Sequence, residues 1–265
     1  MNYMGVNKMS NLEALKKEYL GRGIIVGKTK ENTRFVTYIL TGRSDSSKAR
    51  TLKFDEKNSV TYTAPIDMEI LNKGSPVLLL YPAIMMTDDG RIAVSNGAQT
   101  ELLYNHLVKF KSFNYPKNVL ENIFSEDFFR YDSKSGFINI TSFEPDEPNY
   151  TPRITGCVIG RHGGWTIVRR SKEGEKEKIY GDLDFEAMEN GKAKLIMTYD
   201  GADTGKEPLH SFTGEPLDLS LEGRTQENIA HEIKEAINQN TFIAVATQFA
   251  IGRSKPYIIN LHGDS

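Results

Sequence analysis

Cysteine is almost missing from this sequence: Cys157 is the only one in 265 residues. An internal disulfide framework is therefore excluded, and no Cys/His cluster shows zinc-ligand spacing. Such cysteine usage fits a reducing, cytoplasmic compartment. An excess of charge of one sign is missing too. The 33 basic and 35 acidic residues leave a net charge of -2, so no global field exists to hold DNA or RNA. Long apolar runs are absent: the longest, Val77 to Met86, contains Pro82 and is too short to span a bilayer. Met1 to Ser10 lacks the apolar core of a signal peptide. Ten prolines and 22 glycines are too few for a fibrous or disordered chain. The five histidines are too scattered to make a triad that spacing supports. These exclusions favour a globular protein that meets a small, locally charged molecule, with no membrane or nucleic-acid partner.

What is there is a succession of short strands with helices in separate runs. Gly23 to Gly27 and Arg34 to Leu40 are β-branched and aromatic runs around the turn residues Lys30 to Thr33, the pattern of an antiparallel hairpin. Ser59 to Ala64, Pro76 to Met86 and Arg91 to Ser95 read as further strands, the last two joined by Asp88-Asp89-Gly90. Helical spacing predicts a short helix over Asn11 to Tyr19 and longer ones over Ala98 to Phe110, Lys117 to Phe124 and Gln226 to Asn238. Pro145, Pro148 and Pro152 make Glu144 to Thr151 a loop with its polar residues presented rather than buried. It leads into strands at Arg153 to Gly160 and Trp165 to Arg170. Strands near Ile179 to Leu183, Ala193 to Tyr199, Phe242 to Ala250 and Pro256 to Asn260 complete the reading. No stretch has a linker's composition and no repeat is visible, so residues 12–265 are expected to form one domain behind a loose tail, 1–11. The whole predicts a layered α+β sandwich. Edge strands and the late helix could supply a homo-oligomer interface.

Four segments could carry chemistry, and each has a bland alternative. Thr41-Gly42-Arg43-Ser44 and its continuation to Arg50 put serines, two arginines and a lysine in one loop after an apolar strand. That inventory suits a phosphate monoester, and equally a solvated loop. Gly21-Arg22-Gly23 can hold a guanidinium over a strand end, or simply cap a helix. Ser95-Asn96-Gly97, between a strand and a helix, can read an amide edge or meet an oxyanion, or be an ordinary turn. Glu144, Asp146 and Glu147 precede Thr151-Pro152-Arg153, and a carboxylate near that arginine can make an acid/base pair or a salt bridge. Tyr81 can present a phenol to a pocket from an otherwise apolar strand, or be a buried core tyrosine. Cys157, on an apolar strand, reads as core rather than as a nucleophile.

Taken in order, Tyr19-Leu20-Gly21-Arg22-Gly23, the Gly42-Arg43-Ser44 loop ending in Arg50, Ser95-Asn96-Gly97 and Thr151-Pro152-Arg153-Ile154 resemble the archaeal-type IMP cyclohydrolase family over residues 19–164. The resemblance implies a four-layer αββα sandwich like the N-terminal-nucleophile hydrolases, without their self-processed nucleophile. It also implies dehydrative closure of 5-formamidoimidazole-4-carboxamide ribotide, a purine ribotide, to IMP without metal or organic cofactor. On that basis Arg22, Arg43, Ser44 and Arg50 are expected to hold the phosphate or polarise the formyl oxygen, and Asn96 and Gly97 to meet the base or oxyanion. Arg153 is expected to line the substrate pocket, with Tyr81 and Glu144 as acid/base groups. One position departs from the family pattern: the loop before Thr-Pro-Arg carries a lysine beside the glutamate, whereas here Pro145 follows Glu144.

Overall fold

A computed structural model of the chain describes residues 11–71, 75–111, 115–201, 207–212 and 214–263. Residues 1–10, most of the expected tail, lie outside them, as does much of the polar connection between Asp200 and Leu217. In chain order the first strands are β1 (Arg22–Lys28), β2 (Arg34–Thr41), β3 (Arg50–Asp55), β4 (Val60–Pro65), β5 (Pro82–Met86) and β6 (Ile92–Ser95). A hairpin, β7 (Phe129–Asp132) and β8 (Gly136–Asn139), follows two longer helices, α4 (Gln99–Lys109) and α5 (Pro116–Ile123). Three one-turn helices precede these: α1 (Asp45–Lys48), α2 (Met68–Leu71) and α3 (Pro76–Leu79). The second half contributes β9 (Arg153–Ile159), β10 (His162–Arg170), β11 (Lys176–Asp184), β12 (Lys192–Met197), β13 (Leu217–Ser220), α6 (Gln226–Ala236), β14 (Phe242–Phe249) and β15 (Tyr257–Asn260).

These strands make two large antiparallel sheets, ordered β13-β12-β1-β2-β14-β15 and β11-β10-β9-β6-β5-β4-β3. The sheets face each other across β1, β2, β6 and β9, with Ile24, Val26, Val94, Ile154 and Val158 in the shared core. Gly156 lets them come this close. A Cβ there would stand 3.2 Å from the Ile24 side chain and 3.3 Å from Val26. Helix α6 lies on the outer face of the first sheet against β14 and β15, burying Ile229, Ala230 and Ile233. Helices α4 and α5 cover the outer face of the second sheet. Their Leu103, Leu107, Val119 and Leu120 pack on Ala93, Cys157, Ile159 and Val168. Sheets covered on both faces need strands buried at every position rather than alternately, which is the pattern of β1 and β9.

Two expected elements differ. The helix over Asn11 to Tyr19 is only a single 3-10 turn, Glu13–Leu15. So short a helix has few hydrogen bonds to offset its nucleation, and Leu12, Leu15, Tyr19 and Leu20 are buried without it. Asn11 pairs instead with Ser220. The strand expected over Pro76 to Met86 begins as α3 and becomes β5 only at Pro82. Pro76 takes the first helical position, which its fixed φ favours. Distant Asp132 accepts hydrogen bonds from Ser75 Oγ at 2.8 Å and Val77 N at 3.2 Å, anchoring the helix start.

Candidate functional site

The four flagged segments meet at one end of the sandwich because each begins or ends a strand of the two large sheets. Arg22 opens β1, the loop from Gly42 follows β2, Arg50 opens β3, Asn96 follows β6, and Arg153 opens β9. A cleft of about 520 Å³ lies there. Arg22 lines it together with Tyr19, Tyr199, Asp146, Thr151, Arg43 and Ser44.

Charge is concentrated around the floor of this cleft. Arg22 Nη2 donates to Glu144 Oε1 at 2.6 Å, and Arg153 Nη1 donates to the same oxygen at 3.2 Å. Both arginines and the glutamate are buried, and so is Arg50. Glu144 was expected on a presented loop. It turns inward because two guanidinium groups compensate the desolvation of its carboxylate. Arg50 donates from Nε to Ser47 O at 3.0 Å. Its Nη2, together with Arg153 Nε and Nη2 and Arg22 Nε, has no hydrogen-bond partner among the described residues. Three buried guanidiniums against one such carboxylate leave positive charge and unused donors, an arrangement that an anion would satisfy.

Asn96 and Gly97 frame Arg153. Asn96 donates from Nδ2 to Pro152 O at 2.9 Å and accepts at Oδ1 from Ile154 N at 2.8 Å. Its amide therefore clamps the start of β9 rather than pointing free. Gly97 is required for space: a Cβ there would fall 2.2 Å from Arg153 Nη1. Gln99 Oε1, close by, is a buried acceptor without a partner among the described residues.

Tyr81 is buried immediately before β5, and its hydroxyl lies 2.8 Å from that of Tyr38 on β2. Burial and the neighbouring Tyr81 hold the Tyr38 phenol well above its ordinary pKa. At neutral pH it is a neutral hydroxyl paired with that of Tyr81, and either can donate to the other. Asp146 accepts from Thr151 N at 2.7 Å and from Thr151 Oγ1. Burial, followed by the Glu144 charge, pushes its carboxyl up to about 6 despite those two bonds. A carboxyl titrating there can exchange protons near neutrality.

The outer wall is looser. Arg43 donates to Glu207 Oε1 at 2.6 Å and stands over the Tyr19 ring at 5.9 Å. Ser44 accepts at Oγ from Ser47 N at 3.2 Å, so it caps α1 while exposed at the cleft mouth. Sequence reasoning missed Tyr38, Tyr199 and Glu207. Asp146 stood beside Glu144 in a flagged loop, but Tyr38 sits in an apolar run and the other two lie beyond Gly164, where no motif marked them. Cys157 is fully buried, and burial raises its thiol pKa far above the nucleophilic range. Among the described residues no group of His, Cys, Asp and Glu could hold a metal, and no helix is long and apolar enough to cross a membrane.

A comparison with curated proteins finds no match. The family model described as IMP cyclohydrolase-like protein matches residues 19–253. The match runs well past Gly164 and takes in Tyr199 and Glu207, so the second half is part of the shared unit rather than an addition to it. With its cleft and nearly its whole length inside that match, the chain belongs to the IMP cyclohydrolase-like protein family.

Proposed function

We propose that this protein is an IMP cyclohydrolase, closing 5-formamidoimidazole-4-carboxamide ribotide to IMP in purine biosynthesis, on a fold like that of the N-terminal-nucleophile hydrolases. The carboxamide nitrogen attacks the formyl carbon of the same molecule, forming the new C–N bond. The resulting carbinolamine then loses its hydroxyl, with a proton, as water. No covalent enzyme intermediate is needed, so holding the reactive rotamer supplies much of the rate, where effective molarity can be worth about 7 kcal/mol or more.

The observation that carries this reading is Glu144 held between Arg22 and Arg153 beneath the cleft. In the proposed complex the unused guanidinium donors of Arg153 and Arg50 meet the oxygen that becomes negative as the ring closes. Arg43 and Ser44, at the mouth, take the ribotide phosphate. Arg43 exchanges Glu207 for it, a small cost because the pair is half open to solvent. Tyr81, backed by Tyr38, donates to the departing hydroxyl, while Glu144 or Asp146 takes the carboxamide proton. Adding the formamido ribotide to the enzyme is expected to raise IMP absorbance catalytically. No turnover above background would overturn the reading.

A second reading, favoured by Pro145 in place of the family's lysine, is a purine-nucleotide-binding protein without catalysis. It expects IMP to stabilise the fold against heat while the ribotide stays open.

A further inference from the structure

We propose a second anion site at the opposite end of the sandwich, built to take an oligophosphate. Strand β1 runs from Arg22 at the cleft to Lys28, six steps at about 3.3 Å each, which puts the two ends roughly 20 Å apart. At the Lys28 end the β1–β2 turn, the β9–β10 turn and the segment after β11 enclose a cavity of about 450 Å³. Lys28, Arg34 and Arg161 line it against a single carboxylate, Glu186.

Two of these cations have no acidic partner among the described residues. Lys28 is only 5% exposed, yet its Nζ donates to one neutral acceptor, Phe185 O, at 2.6 Å. Arg34 likewise donates to a backbone carbonyl, that of Gly160. A buried ammonium with one hydrogen bond of a possible three is poorly compensated. Arg161 is held by Glu186 at 2.8 Å, but both side chains are mostly exposed, at 72% and 64%. That pair is readily exchanged for a better-placed anion. Asn32, on the same cavity wall, sits at φ 66 in the turn.

The chemistry selects the ligand. Three cations around one concave space match several phosphoryl oxygens better than one carboxylate, and two guanidiniums allow forked contacts. Phe185 is buried in the core and offers no face for a base to stack on, so the phosphates carry recognition. The shared ligand chemistry is a di- or triphosphate, free or as part of a nucleotide.

Calorimetric titration at low ionic strength tests this with three probes: inorganic pyrophosphate, ATP and AMP. Pyrophosphate and ATP should saturate the wild type at this site while AMP, with one phosphate, binds far more weakly. ATP binding without pyrophosphate binding would contradict phosphate-only recognition. Arg34→Gln should weaken pyrophosphate at least about tenfold, as expected on losing a charged hydrogen bond. Lys28→Met is the second variant, accepted only if its melting is cooperative; Arg34 is partly exposed, so its variant should fold. Binding should persist in Arg43→Ala, which alters the other end. Absence of pyrophosphate binding, unchanged affinity in Arg34→Gln, or loss of binding in Arg43→Ala each overturns the proposal.

Discussion

Arg22 and Glu144, 122 residues apart in sequence, meet at 2.6 Å in the interior. Neither charge is tolerable there alone. The ion pair therefore ties β1 to the loop that precedes β9, and it sets the electrostatics of the cleft. Replacing Glu144 with Gln keeps the shape but leaves Arg22 and Arg153 uncompensated, and breaking a buried pair in this way costs about 3–5 kcal/mol. Urea unfolding should show a loss of that order. A variant as stable as the wild type would mean that the two arginines are balanced elsewhere.

Gly97 makes a second, independent case. Gly97→Ala places a methyl where Arg153 Nη1 now lies, 2.2 Å from the ideal Cβ. The guanidinium must shift, with an overpacking cost of about 1–3 kcal/mol. Loss of stability should be accompanied by weakened IMP binding in calorimetry. Unchanged values for both would show that Arg153 has room to move.

Asp146 gives the pH dependence. Its carboxyl is raised from 3.8 to about 6 in the folded state, so the folded protein binds this proton more tightly than the unfolded chain. Its contribution therefore favours folding as pH falls from about 6 toward about 4 and opposes folding above that window, with a slope of at most about 1.4 kcal/mol per pH unit. Asp146→Asn should remove this component from the stability curve measured across pH 4–7. Curves of wild type and variant that run parallel would show that Asp146 titrates normally.

Arg43 tests the mouth of the cleft without disturbing the fold. Its side chain is a quarter exposed and its Glu207 partner about half exposed, so Arg43→Ala should change stability by less than about 1 kcal/mol. Binding of IMP should weaken by about 2 kcal/mol or more if the guanidinium holds the phosphate. Equal IMP affinity in the two proteins would remove Arg43 from the site.

Much of this arrangement was legible in the sequence, for physical reasons that also explain what was not. The hairpin of β1 and β2, the strands around Ser95 and Arg153, and helices α4, α5 and α6 all carry strong periodicity or turn chemistry. Gly42, Gly97 and the arginines at the strand ends are local marks, so their convergence could be anticipated from order and spacing. Burial could not. Glu144 looked like a solvated loop residue, because the guanidiniums that draw it inward come from β1 and β9. Asn96 and Ser44 proved to be local clamps, of β9 and α1, more than free donors. Helix α3 depends on Asp132, 55 residues beyond Val77. Tyr199 and Glu207 reach the cleft only because β12 pairs with β1, a contact that no motif announced.

The central claim is that the Arg22–Glu144–Arg153 cluster forms the floor of a site that closes the formamido ribotide. The most direct measurement is the initial rate of IMP formation by wild-type protein and by Arg153→Gln at equal concentration, with cooperative melting confirmed for both. The wild type should turn over, and the variant should be slower by about 100-fold or more, the usual scale for removing a transition-state donor. No IMP formation by the wild type, or equal rates from the two proteins, would contradict the account.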